Sequence, residues 1–297
     1  MHAAPETPEI VDAHVHLWDL GLHPAWYPGI VGQPKPGEDG GLDAGAGLRR
    51  NYLLPEYGVD TARYRVSGLV HVSATQGIGS YVGETHWVDG LLAGQQQPYT
   101  LIGAIEPEQP LAAIEAELDA LQRCPRLRGV RVMFGLDPSR PATRDFLRLL
   151  DERGLIFDLV THPHNAIDFA RLLDTLPGLQ LVLEHTGWPT QPGAPGHFGE
   201  WQSGMRALAA RERIDCKLSG LPMSLHAIDA SAMRPWIESA IDIFGVPRCC
   251  FASNFPVDGL YGSFDDLYGA YREITRTLGH AEQHALFAGN ARRIYTL

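Results

Sequence analysis

The sequence lacks the signals of several large protein classes. It contains no run of about 18 consecutive apolar residues, which is the length that a membrane-spanning helix needs. Its 4 cysteines form no C-x-x-C pair, so nothing indicates a structural zinc site. No G-x-G-x-x-G motif joins an apolar strand to a helix, which argues against a dinucleotide-binding fold.

Positive charge is also scarce. The chain has 24 Lys and Arg residues against 35 Asp and Glu residues, for a formal net charge of -11. Since nucleic acids and anionic membranes attract basic proteins, we expect neither as a partner. The first residues lack a basic segment followed by an apolar one, so we expect no signal peptide and a reducing, cytoplasmic location. The adjacent Cys249 and Cys250 are then expected to be buried free thiols.

What the sequence does contain is a regular alternation of apolar and amphipathic segments. The strand-like segments, rich in Val, Ile and Leu, are residues 10–16, 66–73, 99–105, 128–134, 155–161, 179–185, 213–218 and 248–253. Helical periodicity marks residues 111–123, 144–153, 167–176, 231–244 and 264–278. Ser263 and Asp266 resemble a capping box at the start of the last of these helices. The alternation predicts a single-domain (β/α)8 TIM barrel over residues 1–297.

One insertion interrupts the pattern. Residues 20–63 are rich in proline and glycine and follow the first predicted strand. Two interpretations stay open, namely a loop that covers the substrate and a disordered insertion. A second irregular stretch, residues 187–198, follows the sixth predicted strand and would border the same end of the barrel.

The first predicted strand carries His14 and His16, followed by Trp18. Residues at positions i and i+2 of a strand share one face, so both imidazoles point the same way. Because burying two polar rings is costly, this pair indicates a functional site rather than packing.

Polar residues also collect where the other predicted strands end. In a barrel these ends form one rim, where barrel enzymes place their chemistry. The residues at these ends are His14, His16, His71, Ser73, Glu106, Arg131, His162, His164, Glu184, His185, Lys217, Ser219, Asn254 and Asp258.

Several motifs resemble the amidohydrolase superfamily. They are Val-Asp-Ala-His-Val-His-Leu-Trp-Asp at 11–19, Leu-Glu-His-Thr-Gly at 183–187, Phe-Ala-Ser-Asn-Phe-Pro at 251–256 and Gly-Asn-Ala-Arg-Arg-Ile-Tyr at 289–295. Within the superfamily, the chain resembles the branch with 2-pyrone-4,6-dicarboxylate lactonase and the sugar lactonases that act on fuconolactone or rhamnonolactone. The resemblance implies a hydrolase that opens a small lactone bearing hydroxyl or carboxylate groups.

The resemblance also implies roles for the histidines. His14, His16 and His185 would polarise the substrate carbonyl, either directly or through a metal. We therefore expect either no cofactor or one divalent metal, with zinc favoured, held by His14, His16, Glu106 and His185.

The chain departs from the family pattern at Asn254, where related sequences commonly carry the aspartate that activates water. An amide cannot take a proton at neutral pH. Asp258 either replaces that base from the following loop or is a turn residue before Gly259.

Substrate binding is expected from Arg131, because its guanidinium suits a carboxylate. The alternative is an ion pair between Arg131 and Glu106. Further substrate-binding candidates are His71, Ser73, His162 and Trp18, and Lys217 is expected to be structural and to point away from Ser219.

Two other functions stay open at this point. One is a metal-dependent decarboxylase, and the other is a binding barrel that has lost its catalytic base. A small molecule is the expected partner, and a homodimer is left open.

Overall fold

Eight parallel strands form one sheet in the computed structural model of the chain, which describes residues 9–32, 45–133 and 135–297. Each strand pairs with the next along the chain. The strands are β1 (Glu9–Val15), β2 (Arg65–Val72), β3 (Tyr99–Ala104), β4 (Leu127–Val132), β5 (Ile156–Leu159), β6 (Leu181–Leu183), β7 (Ile214–Leu218) and β8 (Cys249–Phe251). Each lies inside or close to a segment predicted from the sequence, although Phe134, in the fourth predicted segment, is outside the described residues.

The sheet closes on itself between β1 and the residues after β8. The amide of His16 donates to the carbonyl of Phe255 (2.9 Å), and the amide of Asn254 donates to that of His14 (2.8 Å). Asp12 strengthens the closure, since its carboxylate accepts from the Ser253 amide (2.9 Å) and hydroxyl (2.6 Å). The predicted (β/α)8 barrel is therefore confirmed.

Helices follow the strands around the barrel. They are α1 (Pro28–Val31), α2 (Gly45–Leu48), α3 (Leu54–Asp60), α4 (Tyr81–Leu92), α5 (Leu111–Leu121), α6 (Pro141–Glu152), α7 (Pro163–Leu173), α8 (His197–Ala209), α9 (Leu221–Leu225), α10 (Ala230–Phe244), α11 (Phe264–Thr275), α12 (His280–His284) and α13 (Asn290–Tyr295). The predicted capping box at α11 is present, because the Ser263 hydroxyl accepts from the Asp266 amide at 3.1 Å. Across the described parts of the chain, no helix is both long and apolar enough to cross a membrane.

Two apolar clusters fill the inside and the outside of the sheet. The interior cluster contains one or two residues from most strands and is closed at the bottom by Ile294 and Tyr295 of α13. The outer cluster packs the strands against the helices. Cys249 lies in the outer cluster and Cys250 in the interior one, both as buried free thiols, as expected.

A break in the alternation of β1 turns its histidines inward. Val11 and Ala13 belong to the interior cluster, whereas Val15 belongs to the outer cluster. The register between β1 and β2 shifts between Asp12 and Val15. Because a shift of one residue reverses the faces of a strand, the even-numbered His14 and His16 come to face the barrel interior.

The described parts of the insertion, residues 20–32 and 45–63, pack against the barrel. Tyr27, Tyr52 and Tyr57 are buried in the outer cluster. The backbones of Trp18 and Tyr52 pair in both directions, at 2.9 and 3.0 Å. Residues 33–44, which include most of the glycine-rich run, are outside the described residues. The covering role of this insertion stays a prediction.

Candidate active site

The barrel rim brings together three histidines from β1 and the end of β6. The Nε2 atoms of His14 and His16 lie 3.2 Å apart, and the rings of His14 and His185 have their centroids 4.6 Å apart. His16 Nδ1 lies 2.7 Å from the carbonyl oxygen of Val72. All three rings are buried. The structure thus assembles the imidazoles that the sequence singles out.

Burial keeps these rings neutral. The pKa values of His14, His16 and His185 all lie well below the usual 6.5, chiefly because the charged form would lose its hydration. Nearby cations act in the same direction, Lys217 on His14 and Arg131 on His16 and His185. Each ring therefore carries one N–H donor and one lone pair at neutral pH.

Glu184, at the end of β6, is the carboxylate of this group. Its Oε2 lies 3.2 Å from Arg131 Nη1 and 3.4 Å from His185 Nε2, and its Oε1 lies 3.9 Å from His14 Nδ1. Burial raises the pKa of Glu184, and the charge of Arg131 opposes that rise. A raised pKa makes the Glu184 carboxylate a better proton acceptor, which is the property that a general base requires.

The alternative interpretation of Arg131, an ion pair with Glu106, was wrong, and its expected role in substrate binding stays a prediction. Arg131 pairs with Glu184 and donates to the carbonyl of Ser73, whereas Glu106 is partly exposed and accepts from the Glu108 amide at 3.1 Å. The described cluster able to hold a metal is His14, Glu184 and His185, so it lacks two of the predicted ligands, His16 and Glu106. The strand ends predict both carboxylates at the rim, but only the fold decides which of them turns inward.

Lys217 lies beneath the histidines, in the barrel interior. Its Nζ is 2.5 Å from Asp158 Oδ2 and 3.4 Å from His14 Nδ1, and its side chain is fully buried. Tyr295 donates its hydroxyl to Asp158, at 3.1 and 3.2 Å from the two oxygens.

The prediction that Lys217 points away from Ser219 was wrong. Positions i and i+2 of β7 share a face, and the Ser219 hydroxyl is within 3.2 Å of His185 Nδ1. The sequence analysis did not identify Asp158 and Tyr295, and it placed Glu184 and Lys217 at the rim without a role in the chemistry. A usable signal existed for Lys217: the chain uses arginine for nearly all of its cations, and its lysines are Lys35 and Lys217.

Asn254 and Asp258 form a second buried pair beside the histidines. Asn254 Nδ2 donates to Asp258 Oδ1 at 2.9 Å, and the Gly220 amide donates to Oδ2 at 3.2 Å. Both carboxyl oxygens thus have donors, and burial raises the pKa of Asp258 well above its usual value. Gly220 is required here, because a Cβ would lie 2.6 Å from the His185 ring.

Backbone strain concentrates in the same region. His185, Thr186 and Asn254 have φ values of 52°, 55° and 55°, which non-glycine residues rarely adopt. Such conformations cost about 1–3 kcal/mol each and cluster at functional sites. The strain supports the assignment of this rim as the site.

The remaining predicted residues lie around this group. His71 and Ser73 are buried on and just after β2, and the Ser73 hydroxyl donates to Glu84. Trp18 is buried and donates its ring N–H to the Arg50 carbonyl at 2.8 Å, while its ring stacks 6.4 Å from that of His16. His162 lies further out, 5.4 Å from the Trp188 ring.

Four buried polar atoms of the rim residues have no hydrogen-bond partner among the residues that the structure describes. They are Glu184 Oε1, Arg131 Nε, His71 Nε2 and His162 Nδ1. Because buried polar groups are almost always paired, such atoms indicate where a ligand or water binds. The group contains both an acceptor and a donor, as ester hydrolysis requires.

One atom each from His14, Glu184 and His185 could serve as metal ligands, since these atoms lie within 4.8 Å of one another. Nitrogen and carboxylate donors suit zinc. However, the Lys217 ammonium lies against His14 Nδ1, and His14 Nε2 is paired with His16. Lys217 and Arg131 already balance Asp158 and Glu184, so a divalent ion would leave the buried group positive. The residues as arranged therefore do not fit a resident metal.

Comparison with known proteins agrees with the motifs. A family model described as Amidohydrolase matches residues 11–297. Protein y4mH of Sinorhizobium fredii is 31% identical over 96% of this chain and 98% of its own length. An L-fucono-1,5-lactonase of Burkholderia ambifaria is 27% identical over 97% of this chain and 95% of its own length. The structure of a Burkholderia multivorans amidohydrolase with bound zinc has a TM-score of 0.79 at 24% identity and covers 97% of this chain and 99% of that one. This similarity shows a shared fold.

Proposed function

The chain belongs to the amidohydrolase family, and from that premise we propose that it hydrolyses a small lactone bearing hydroxyl or carboxylate groups. The observation that carries the proposal is the buried cluster of neutral imidazoles with one unpaired carboxylate oxygen and one unpaired guanidinium N–H. The relative named L-fucono-1,5-lactonase supports the same class of substrate.

Glu184 is the proposed base. Its Oε1 has no hydrogen-bond partner in the described parts of the chain, so it can accept a proton from a water molecule that attacks the ester carbonyl. The same carboxyl group then returns that proton to the ring oxygen as the C–O bond breaks. The product is the open hydroxy acid, and Glu184 is again a carboxylate.

The imidazoles and Arg131 stabilise the oxyanion that forms during the attack. Arg131 Nε–H has no hydrogen-bond partner among the described residues, and the neutral rings of His14 and His185 can each offer an N–H, whereas the N–H of His16 faces the Val72 carbonyl. Such donors are fixed before the reaction by their buried contacts, so they need no reorganisation as charge develops. A metal is not needed to polarise the carbonyl in this arrangement.

Asp258, the alternative base predicted from the sequence, has a different part in the proposal. Both of its oxygens are occupied, by the Asn254 amide and by the Gly220 backbone. It orients Asn254 beside the imidazoles, and Asn254 provides a neutral amide where the family resemblance implies a carboxylate.

The test is hydrolysis of a panel of aldonolactones, followed with a pH indicator, by protein treated with a chelator. We expect turnover without added metal. Glu184→Gln should lower kcat/KM by about 100-fold or more, the usual range for a general base. Glu115→Gln, at an exposed position of α5, is the matched control and should keep wild-type turnover.

The outcomes also separate the other functions. Loss of activity in Asp258→Asn but not in Glu184→Gln would assign the role of general base to Asp258 instead of Glu184. Activity only after addition of zinc or manganese, with release of CO2 from aromatic acids, would indicate the decarboxylase. Folded protein that binds lactones without opening any of them would indicate the binding barrel.

A further inference from the structure

A buried ammonium group lies directly under the catalytic histidines. Lys217 is fully buried, and its Nζ contacts Asp158 at 2.5 Å and lies 5.0 Å from the centre of the Tyr295 ring. A buried charge persists only when it is paired, and here Asp158 is the partner. The third neighbour of this ammonium is the Nδ1 atom of His14, at 3.4 Å.

Lys217, His14, His16 and the Val72 carbonyl form a chain of hydrogen bonds, and the groups at its two ends determine which atoms donate. An ammonium group only donates, so His14 Nδ1 must accept from Lys217. A carbonyl only accepts, so His16 Nδ1 must donate to Val72. Each neutral ring then has one remaining role: His14 carries its proton on Nε2, and His16 offers a lone pair on Nε2, which matches their 3.2 Å contact.

We propose that Lys217 is a positioning residue that fixes His14 as the Nε2–H tautomer and occupies the nitrogen that a metal ion would need. This deepens the proposed function and rests on it. A substrate carbonyl that displaces the contact with His16 meets a ready N–H donor on His14. A metal ion meets a protonated Nε2 and an Nδ1 that faces an ammonium group.

The first test is the tautomer in the wild-type protein. Long-range proton–nitrogen NMR spectra of protein labelled with 15N-histidine separate ring nitrogens that carry hydrogen from those that do not. We expect His14 to carry hydrogen on Nε2 and His16 on Nδ1. A His14 ring protonated on Nδ1 would overturn the proposal, and no variant is needed for this result.

The second test is zinc affinity, measured by competition with a fluorescent chelator. Lys217→Met/Asp158→Asn removes the ion pair without leaving a lone buried charge and should bind zinc at least about tenfold more tightly than wild type, because His14 is released. Lys217→Leu/Asp158→Asn should behave alike, which excludes ligation by the Met thioether. Unchanged or weaker binding in both variants, with circular dichroism showing folded protein, would overturn the proposal.

The matched control removes another ion pair of β7. Arg293 and Asp215 pair at 2.7 Å at the opposite end of the barrel, so Arg293→Met/Asp215→Asn should leave zinc affinity at the wild-type value. Neither the NMR nor the zinc measurement uses a substrate. Failure of the lactone assay therefore leaves both results interpretable, and failure here leaves the lactonase proposal open to its own test.

Discussion

Replacing one member of the Lys217–Asp158 ion pair should lower the free energy of unfolding far more than replacing both members. Both side chains are fully buried and 2.5 Å apart. Lys217→Met leaves the Asp158 carboxylate with only the Tyr295 hydroxyl, and Asp158→Asn leaves a buried ammonium beside a neutral imidazole. A buried charge that loses its partner keeps its desolvation cost without the compensating attraction.

The magnitudes follow from that imbalance. Each single substitution should lower the free energy of unfolding by about 3–5 kcal/mol. Lys217→Met/Asp158→Asn removes both charges, keeps an acceptor for Tyr295, and loses one contact to His14, so it should cost only about 1 kcal/mol. The coupling energy between the two positions should therefore be at least about 5 kcal/mol in magnitude.

Urea unfolding followed by circular dichroism measures these free energies from the transition midpoint and slope. The reasoning fails if the double variant is less stable than either single variant, as independent contributions would require. Arg293→Met and Asp215→Asn form the control cycle. Arg293 is 55% exposed, so its coupling should stay below about 1 kcal/mol.

Three further predictions follow from other parts of the structure. Asn254→Asp sets a second carboxylate beside Asp258, so thermal unfolding should show a loss of stability at pH 7 that shrinks at pH 5, where the two carboxyl groups can share a proton. If lactone turnover appears only in this variant, the natural chain is the binding barrel. Folding lowers the pKa of His71 to about 3, so its neutral ring contributes stability above pH 6.5 that is lost as the pH falls. Between pH 7 and pH 5, urea titrations should show that the free energy of unfolding falls by about 2 kcal/mol less in His71→Gln than in the wild type. Ser263→Ala removes the cap of α11 and should cost about 1 kcal/mol in the same assay, whereas no measurable loss would mean that the cap is redundant.

The fold could be predicted from the sequence because its signals are local. A buried parallel strand is apolar on both faces, and the helices between strands keep a 3.6-residue period, so the alternation itself specifies the barrel. The capping box of α11 is equally local, since Ser263 and Asp266 are three residues apart. The family resemblance, which the comparisons confirm, was also carried by short local motifs.

The contacts within the site were harder to predict, because its side chains pair with residues of strands that are distant in the sequence. Arg131 could have paired with Glu106 from the neighbouring strand β3 or with Glu184 from β6, and strand ends alone do not separate these alternatives. The inward turn of His14 depends on a register shift that no composition signal marks. Lys217, by contrast, was within reach: a lysine two residues before Ser219 shares its face, and that face is the interior.

The departures at Asn254 and Lys217 make sense as one electrostatic arrangement. A divalent ion buried beside Lys217 and Arg131 is favoured by carboxylates that balance its charge, and the family resemblance places one at the position of Asn254. This chain has a neutral amide there, and its cation is an ammonium group already paired with Asp158. Restoring a carboxylate at 254 alone would therefore bring it beside Asp258 with no added cation to hold it. Removing the Lys217–Asp158 pair releases His14 for a metal ion, and a carboxylate at 254 would then balance the added charge, because each charge here is balanced by another buried charge of the same barrel.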